Sequence, residues 1–132
     1  MAFRFEFDSA NRILLLRFEG PLTNESLVEA YKAIRKYSTA TDAKAGIWDF
    51  SSVTELTVAS EVVRALAKQE PAMPDATILP RFVVAPATHV FGIARMFQIV
   101  GESSRPILKV VRTMDEALAA LGVQSPHFAP LE

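Results

Sequence analysis

Apolar and polar residues alternate strictly at the start of the chain, with Phe3, Phe5 and Phe7 on one side and Arg4, Glu6 and Asp8 on the other. A period of two with one charged side describes a half-buried strand, antiparallel or at a sheet edge. Ser9-Ala10-Asn11 reads as a turn, and Ile13-Leu14-Leu15-Leu16-Arg17-Phe18-Glu19 as a second strand that Gly20-Pro21 stops. From Asn24 the period lengthens. Leu27, Ala30, Tyr31, Ile34 and Tyr37 recur at helical spacing, and Thr23 or Asn24 stands where a side chain can cap the free amides.

Ala45 to Phe50 is short and apolar and reads as a central strand. Ser51 to Thr57 is expected to be a hydroxyl-rich connection, after which Ala59, Val62, Val63, Leu66 and Ala67 mark a second helix. Pro71, Pro74 and Pro80 exclude regular structure from Gln69 to Pro80. Within that stretch Met73, Ile78 and Leu79 either fold back onto the sheet or form an exposed apolar lip. Phe82 to Ala85 reads as a buried strand and Ile107 to Val111 as a fifth. Between them a third helix opens at Thr88-His89 and turns Val90, Ile93, Ala94, Phe97 and Val100 inward, with Gly101 near its end. Thr113-Met114-Asp115-Glu116 has the spacing of a capping box, followed by the stripe Ala117, Leu118, Leu121 and by Gly122 just past the helix.

Strands alternating with helices predict an α/β fold, with a mostly parallel five-stranded sheet, an antiparallel first strand and four main helices. Residues 1–123 are expected to form one domain and residues 124–132, with Pro126 and Pro130, a loosely held tail.

Composition narrows the function classes. The chain has 132 residues, 50% of them hydrophobic and 22% charged, which suits one globular domain with an ordinary core. It has no cysteine, so disulfides, thiolate metal sites and Cys nucleophiles are excluded. Fourteen Lys and Arg against fifteen Asp and Glu give a net charge of −1, which argues against a nucleic-acid binder dependent on a basic field. The uncharged stretch between Arg81 and Arg95 is too short to span a bilayer, and the charge-interrupted segment at residues 3–8 is no signal-peptide core; a cytoplasmic protein is expected.

Candidate chemistry is sparse. His89 falls at a helix start and His127 in the tail, and neither belongs to a metal-binding or nucleophile-activating pattern. No glycine-rich loop follows a strand, so neither a cofactor nor an enzymatic activity is expected. Asp49 closes the central strand, where open α/β sheets place their sites. A phospho-accepting role would require a neighbouring acidic pair, which Asp8 and Glu19 do not supply; the alternative is a local bond from the Ser51 or Ser52 amide. Ser51, Ser52, Thr54, Thr57 and Ser60 form a dense hydroxyl cluster. It serves either turns and caps or an anion- or partner-binding surface at the start of the second helix, reinforced by Arg64.

Asp49-Phe50-Ser51-Ser52-Val53, a strand end followed by a hydroxyl-rich turn and a helix, resembles the STAS family, which includes anti-sigma factor antagonists of the SpoIIAA type. Glu19-Gly20-Pro21-Leu22-Thr23, Val84-Ala85-Pro86-Ala87 and Asp115-Glu116-Ala117-Leu118 extend the resemblance in order over residues 3–123. The run from Phe91 to Phe97 and the gap from Gln98 to Pro106 resemble the SpoIIAA-like, STAS/SEC14-like branch. In the antagonists the second helix starts with a phosphorylated serine; here Thr57-Val58-Ala59-Ser60 puts Val58 at that position, so the switch does not carry over. The resemblance implies a non-enzymatic binding or regulatory module for a protein partner or a small apolar or anionic ligand, acting through Asp49, Ser51, Ser52, Thr57, Ser60 and Arg64 and tending to homodimerise. Its SEC14-like side implies a carrier or sensor of a lipid or other apolar molecule, marked by a cavity lined by the third helix.

Overall fold

A computed structural model describes residues 3–71 and 79–131. Six strands form one sheet in the order β5-β4-β3-β2-β1-β6. The strands β2 (Ile13–Thr23), β3 (Ala45–Thr57), β4 (Arg81–Val84) and β5 (Leu108–Val111) run parallel, whereas β1 (Phe3–Asp8) is antiparallel to β2. The helices are α1 (Asn24–Thr41), α2 (Ser60–Lys68), α3 (Thr88–Val100) and α4 (Met114–Leu121). None of them is long and apolar enough to cross a membrane.

The alternation at the start of the chain sets the two faces. Phe5 pairs with Leu16 and joins Leu14, Phe18, Trp48 and Val83 in the core against α1 and α3. Glu6 and Asp8 point the other way, onto the face where Ile13, Leu15, Ile47, Phe82 and Val84 pack on Ala117 of α4. Thr23 caps α1 through a reciprocal box with Ser26, while α4 ends on Gly122 at φ 73°. The expected box of α4 is half formed: Thr113 accepts from the Glu116 amide at 3.2 Å, and the Glu116 carboxylate accepts from the Thr113 hydroxyl rather than from its amide.

Three expectations need correction. Gly20-Pro21 does not stop β2, and Ser51 to Thr57 is not a loop. Both segments continue as a parallel two-stranded ribbon from Glu19↔Ser52 to Thr23↔Thr57, beyond the last β3–β4 pair at Asp49↔Val84. Pro21 is tolerated because the β1–β2 pairing among the described residues ends at Phe3↔Phe18, three residues before it; Gly20 takes φ 72° at a register shift. Register shifts at Arg17/Glu19 and Gly20/Pro21 give β3 an extra residue each time, the geometry of a bulge that bends a ribbon. The third correction concerns the tail. Ala129–Pro130 adds a sixth strand antiparallel to β1, the Leu131 amide donates to Phe5 O at 2.9 Å, and Phe128 packs on the α4-side core. Of the proline-rich lip, Met73 and Ile78 lie outside the described residues; Leu79 is half-buried against the core. Val100, expected on the inner side of α3, is instead exposed at the end of that helix, where the sheet no longer lies beneath it.

Candidate functional site

A cavity of about 90 Å³ lies between the sheet and helices α1, α2 and α3. The sheet contributes alternate residues of one face: Leu16 and Phe18 from β2, Trp48 and Phe50 from β3, and Val83 from β4. Helix α3 contributes Val90, Ile93, Ala94 and Phe97, one turn apart along its buried side. Leu22 and Leu56 reach in from the ribbon, beyond the ends of the parallel core. Stacking of Phe18 on Phe50, with ring centroids 4.4 Å apart, holds the base of that ribbon.

The opposite end of the cavity is cationic. Arg81 opens β4 and Arg105 precedes β5; each is 2% exposed. Arg105 holds the C-terminus of α2. Its Nη1 donates to Ala67 O at 2.6 Å and its Nη2 to Leu66 O and Gln69 O at 3.2 and 3.1 Å. Carbonyls at a helix C-terminus carry partial negative charge, which suits a cation. Nη2 also donates to Tyr31 Oη at 2.5 Å, and Tyr31 Oη donates on to Glu70 O at 2.7 Å. The guanidinium lies 4.7 Å from the Phe97 ring centre. Burial lowers the Arg81 pKa to about 10, with the Arg105 charge adding to the effect and Tyr31 opposing it.

The residues singled out from the sequence occupy three places. Asp49 is on the α4 side of the sheet, away from the cavity. Its Oδ2 accepts from Arg17 Nη1 at 3.1 Å, and its Oδ1 accepts from the Ser51 amide and hydroxyl at 2.9 and 2.5 Å. The local bond expected at Asp49 is therefore present, but it closes a strand bulge rather than a turn. Arg17 also donates to Glu6, which accepts from Arg4 as well, and Arg4 pairs with Glu19, so the ladder joins β1, β2 and β3 and reaches Asp49 through its Oδ2. Ser51 and Ser52 are exposed on the ribbon.

Thr57 ends the ribbon, eight residues beyond Asp49 and so roughly 20–25 Å along the strand. Its hydroxyl donates to Leu22 O at 3.3 Å, tying the two ribbon strands. Ser60 and Arg64 are exposed on α2. Neither Ser60 nor Thr57 caps α2: the Ala59 amide donates instead to Asn24 Oδ1 at 2.9 Å. Val58 is half-buried against the core. His89 is exposed on α3 and His127 donates its amide to Asp8 at 3.4 Å. Among the described residues no group of three His, Asp or Glu could hold a metal ion.

Sequence reasoning missed Tyr31, Arg81 and Arg105 as one constellation. An arginine beside proline at a strand start usually reaches solvent along its apolar stem, so nothing in Pro80-Arg81 or Arg105-Pro106 signals burial.

No family model matches the chain, and neither does any curated protein. Solved structures do match. The Bacillus cell fate determinant SpoIIAA in its phosphorylated form aligns with a TM-score of 0.56 at 17% identity, over 91% of this chain and 99% of that one. The anti-sigma factor antagonist SpoIIAA in its unphosphorylated form aligns with a TM-score of 0.60 at 15% identity, over 94% of this chain and 100% of that one. Identity at this level speaks for the fold alone. The chain has the SpoIIAA-like, STAS-type fold.

Proposed function

We propose that this protein is a non-enzymatic SpoIIAA-like binding module whose ligand is a small apolar molecule, or the apolar part of a larger one, held between the sheet and helices α1–α3. The cavity lined by α3 carries this reading. Apolar voids are costly, at about 24 cal/mol per Å³, so one of this size corresponds to roughly 2 kcal/mol of stability. An apolar occupant recovers that free energy. Engineered apolar cavities of about 150 Å³ hold benzene. The present volume thus suits a short apolar segment, and a longer chain requires the helices to give way.

The partner-surface reading has less support. Among the described residues the large exposed apolar side chains are Ile99 and Val100, two neighbours at the end of α3. They are the natural seam for the expected homodimer, which light scattering at high micromolar concentration reads as a doubled mass. The phosphoserine switch is absent in this reading, because Val58 offers the core a side chain and a kinase no hydroxyl. The antagonist named in the fold comparison acts on anti-sigma factors; by analogy a protein partner here would read the ligand-bound state.

Trp48 is the one tryptophan of the chain and lines the cavity, so its fluorescence reports occupancy. Native mass spectrometry of protein purified from cells should show an added small mass, and extraction of that mass should change the Trp48 emission. A bare chain whose Trp48 emission ignores every apolar probe would end the proposal.

A further inference from the structure

The strand β1 is self-complementary about Phe5. In Phe3-Arg4-Phe5-Glu6-Phe7 the apolar residues stand at equal distances on either side of the centre, with opposite charges between them. Phe3, Phe5 and Phe7 belong to the core under α1, while Arg4 and Glu6 share the other face. On that face Glu6 Oε2 accepts from Arg4 Nε at 2.9 Å and from Arg17 Nε at 3.1 Å, and Arg4 Nη1 pairs with Glu19. Glu6 Oε1 and Arg4 Nη2 make no bond among the described residues.

The outer edge of β1 is covered only in part. Strand β6 (Ala129–Pro130) pairs with Phe7 and Glu6 and is itself exposed. The Leu131 amide adds a bond to Phe5 O at 2.9 Å, and Phe3 and Arg4 have no β6 partner among the described residues. The bond to Phe5 O also shows which backbone groups point outwards: those of Phe3, Phe5 and Phe7, because the direction alternates along a strand. Pro130, opposite Glu6, takes the intervening position and has no bond to lose. A short cover bearing proline is one way that an edge is kept from pairing with another chain.

We infer that β1 is a self-pairing edge: a second copy of this chain displaces β6 and joins β1 to β1, antiparallel about a twofold axis through Phe5. In that register Phe5 exchanges both backbone bonds with Phe5 of the second copy, and Phe3 does so with Phe7, through groups that already point outwards. The side chains match as well. Phe3 stands opposite Phe7 on the core side, and Arg4 opposite Glu6 on the charged side, where Arg4 Nη2 and Glu6 Oε1 meet. The contact is isologous, so each of these unlike pairs occurs twice. The register is specified. A shift of one residue sets Arg4 against a phenylalanine, and a shift of two sets Glu6 against Glu6 or Arg4 against Arg4. This seam is separate from Ile99 and Val100 and does not depend on the ligand proposed above.

The test follows self-association of the full chain by analytical ultracentrifugation, with folding checked by circular dichroism. Leu131→Asp sets a charge where Leu131 packs on the core, and by freeing the edge it should lower the concentration needed for association about tenfold. Leu131→Ala takes its place if Leu131→Asp fails to fold. In that background Arg4→Glu and Glu6→Arg should each weaken association about tenfold, since each sets like charges opposite one another in both halves of the contact. An equimolar mixture of the two should restore it, because only the mixed pair opposes acid to base. If Glu6→Arg fails to fold, Arg4→Glu decides alone, and unchanged association would overturn the inference. Freed chains that associate no better than the unaltered protein would overturn it too. A mixture that associates no better than its components would assign the association to another surface, such as Ile99 and Val100, and sink the β1 seam.

Discussion

Asn24, the first residue of α1, accepts through Oδ1 the amide of Ala59, the residue that precedes α2, at 2.9 Å, so the start of one helix is closed by the start of another. The residues are 35 apart in sequence and meet because the β2–β3 ribbon delivers both helices from the same end of the sheet. A half-buried amide left without an acceptor is costly, and here the acceptor is borrowed across the tertiary structure.

Asn24→Ala should therefore cost about 1 kcal/mol, the usual worth of a cap. Ser60→Ala, at an exposed residue that makes no cap bond, should stay within about 0.5 kcal/mol. Urea midpoints of the two variants check the order. A larger loss in Ser60→Ala would show that α2 is capped by its own hydroxyl.

Asp8 is 1% exposed and accepts from the Ala10 and Asn11 amides at 3.1 and 3.2 Å and from Asn11 Nδ2 at 2.7 Å. Burial pushes its pKa up, but the bonds from Asn11, His127 and Ala10 outweigh burial and hold it below the ordinary 3.8. A carboxyl depressed in the folded state adds stability above its unfolded pKa and loses it as pH falls through the folded value. Stability should thus drop as pH falls below about 4, and Asp8→Asn should shallow that drop while costing about 1–3 kcal/mol at neutral pH. Thermal melts at pH 7 and pH 3 measure both; an unchanged acid slope in Asp8→Asn would assign it to another carboxylate.

Gly101 lies where the end of α3 meets the end of α2. A Cβ there would stand 2.6 Å from Arg105 Nη1 and 3.1 Å from Ala67 O. The guanidinium is pinned by carbonyls and has little room to retreat, so Gly101→Ala should cost about 1–3 kcal/mol by overpacking. Gly92, with nothing near its Cβ position, should accept alanine at a gain of about 0.5–1 kcal/mol. Denaturation midpoints moving in opposite directions would bear this out; similar shifts would not.

Thr113→Ala should cost about 1 kcal/mol, since the Glu116 amide loses its acceptor. Glu116→Ala should cost less, because the carboxylate meets the hydroxyl only at 3.4 Å. Equal losses would mean that the full reciprocal box forms in solution.

Ala94→Leu projects extra side chain into the cavity from α3. It should raise the unfolding free energy by about 1 kcal/mol and abolish the Trp48 response to apolar probes. A loss of stability would show that the walls cannot admit three more carbons.

Much of this protein is written locally. The alternation from Phe3 to Asp8 assigns the two faces of β1, and the spacing of Leu27, Tyr31 and Ile34 assigns the inner side of α1, because side-chain direction follows from backbone period alone. Thr23, Thr113 and Gly122 mark helix ends because their bonds reach only a few residues along the chain. Other features were settled by partners distant in sequence. Ser51 to Thr57 became strand because Glu19 to Thr23 lies alongside, and Ala129–Pro130 became strand because β1 had a free edge. Arg81 and Arg105 are buried side by side only because parallel β4 and β5 begin at the same end of the sheet, where α2 also ends. Hydroxyl-rich and proline-rich segments hold weak backbone preferences, and an arginine holds none about burial. For these the free energy comes from pairing and packing across the fold, which a single stretch of sequence does not contain.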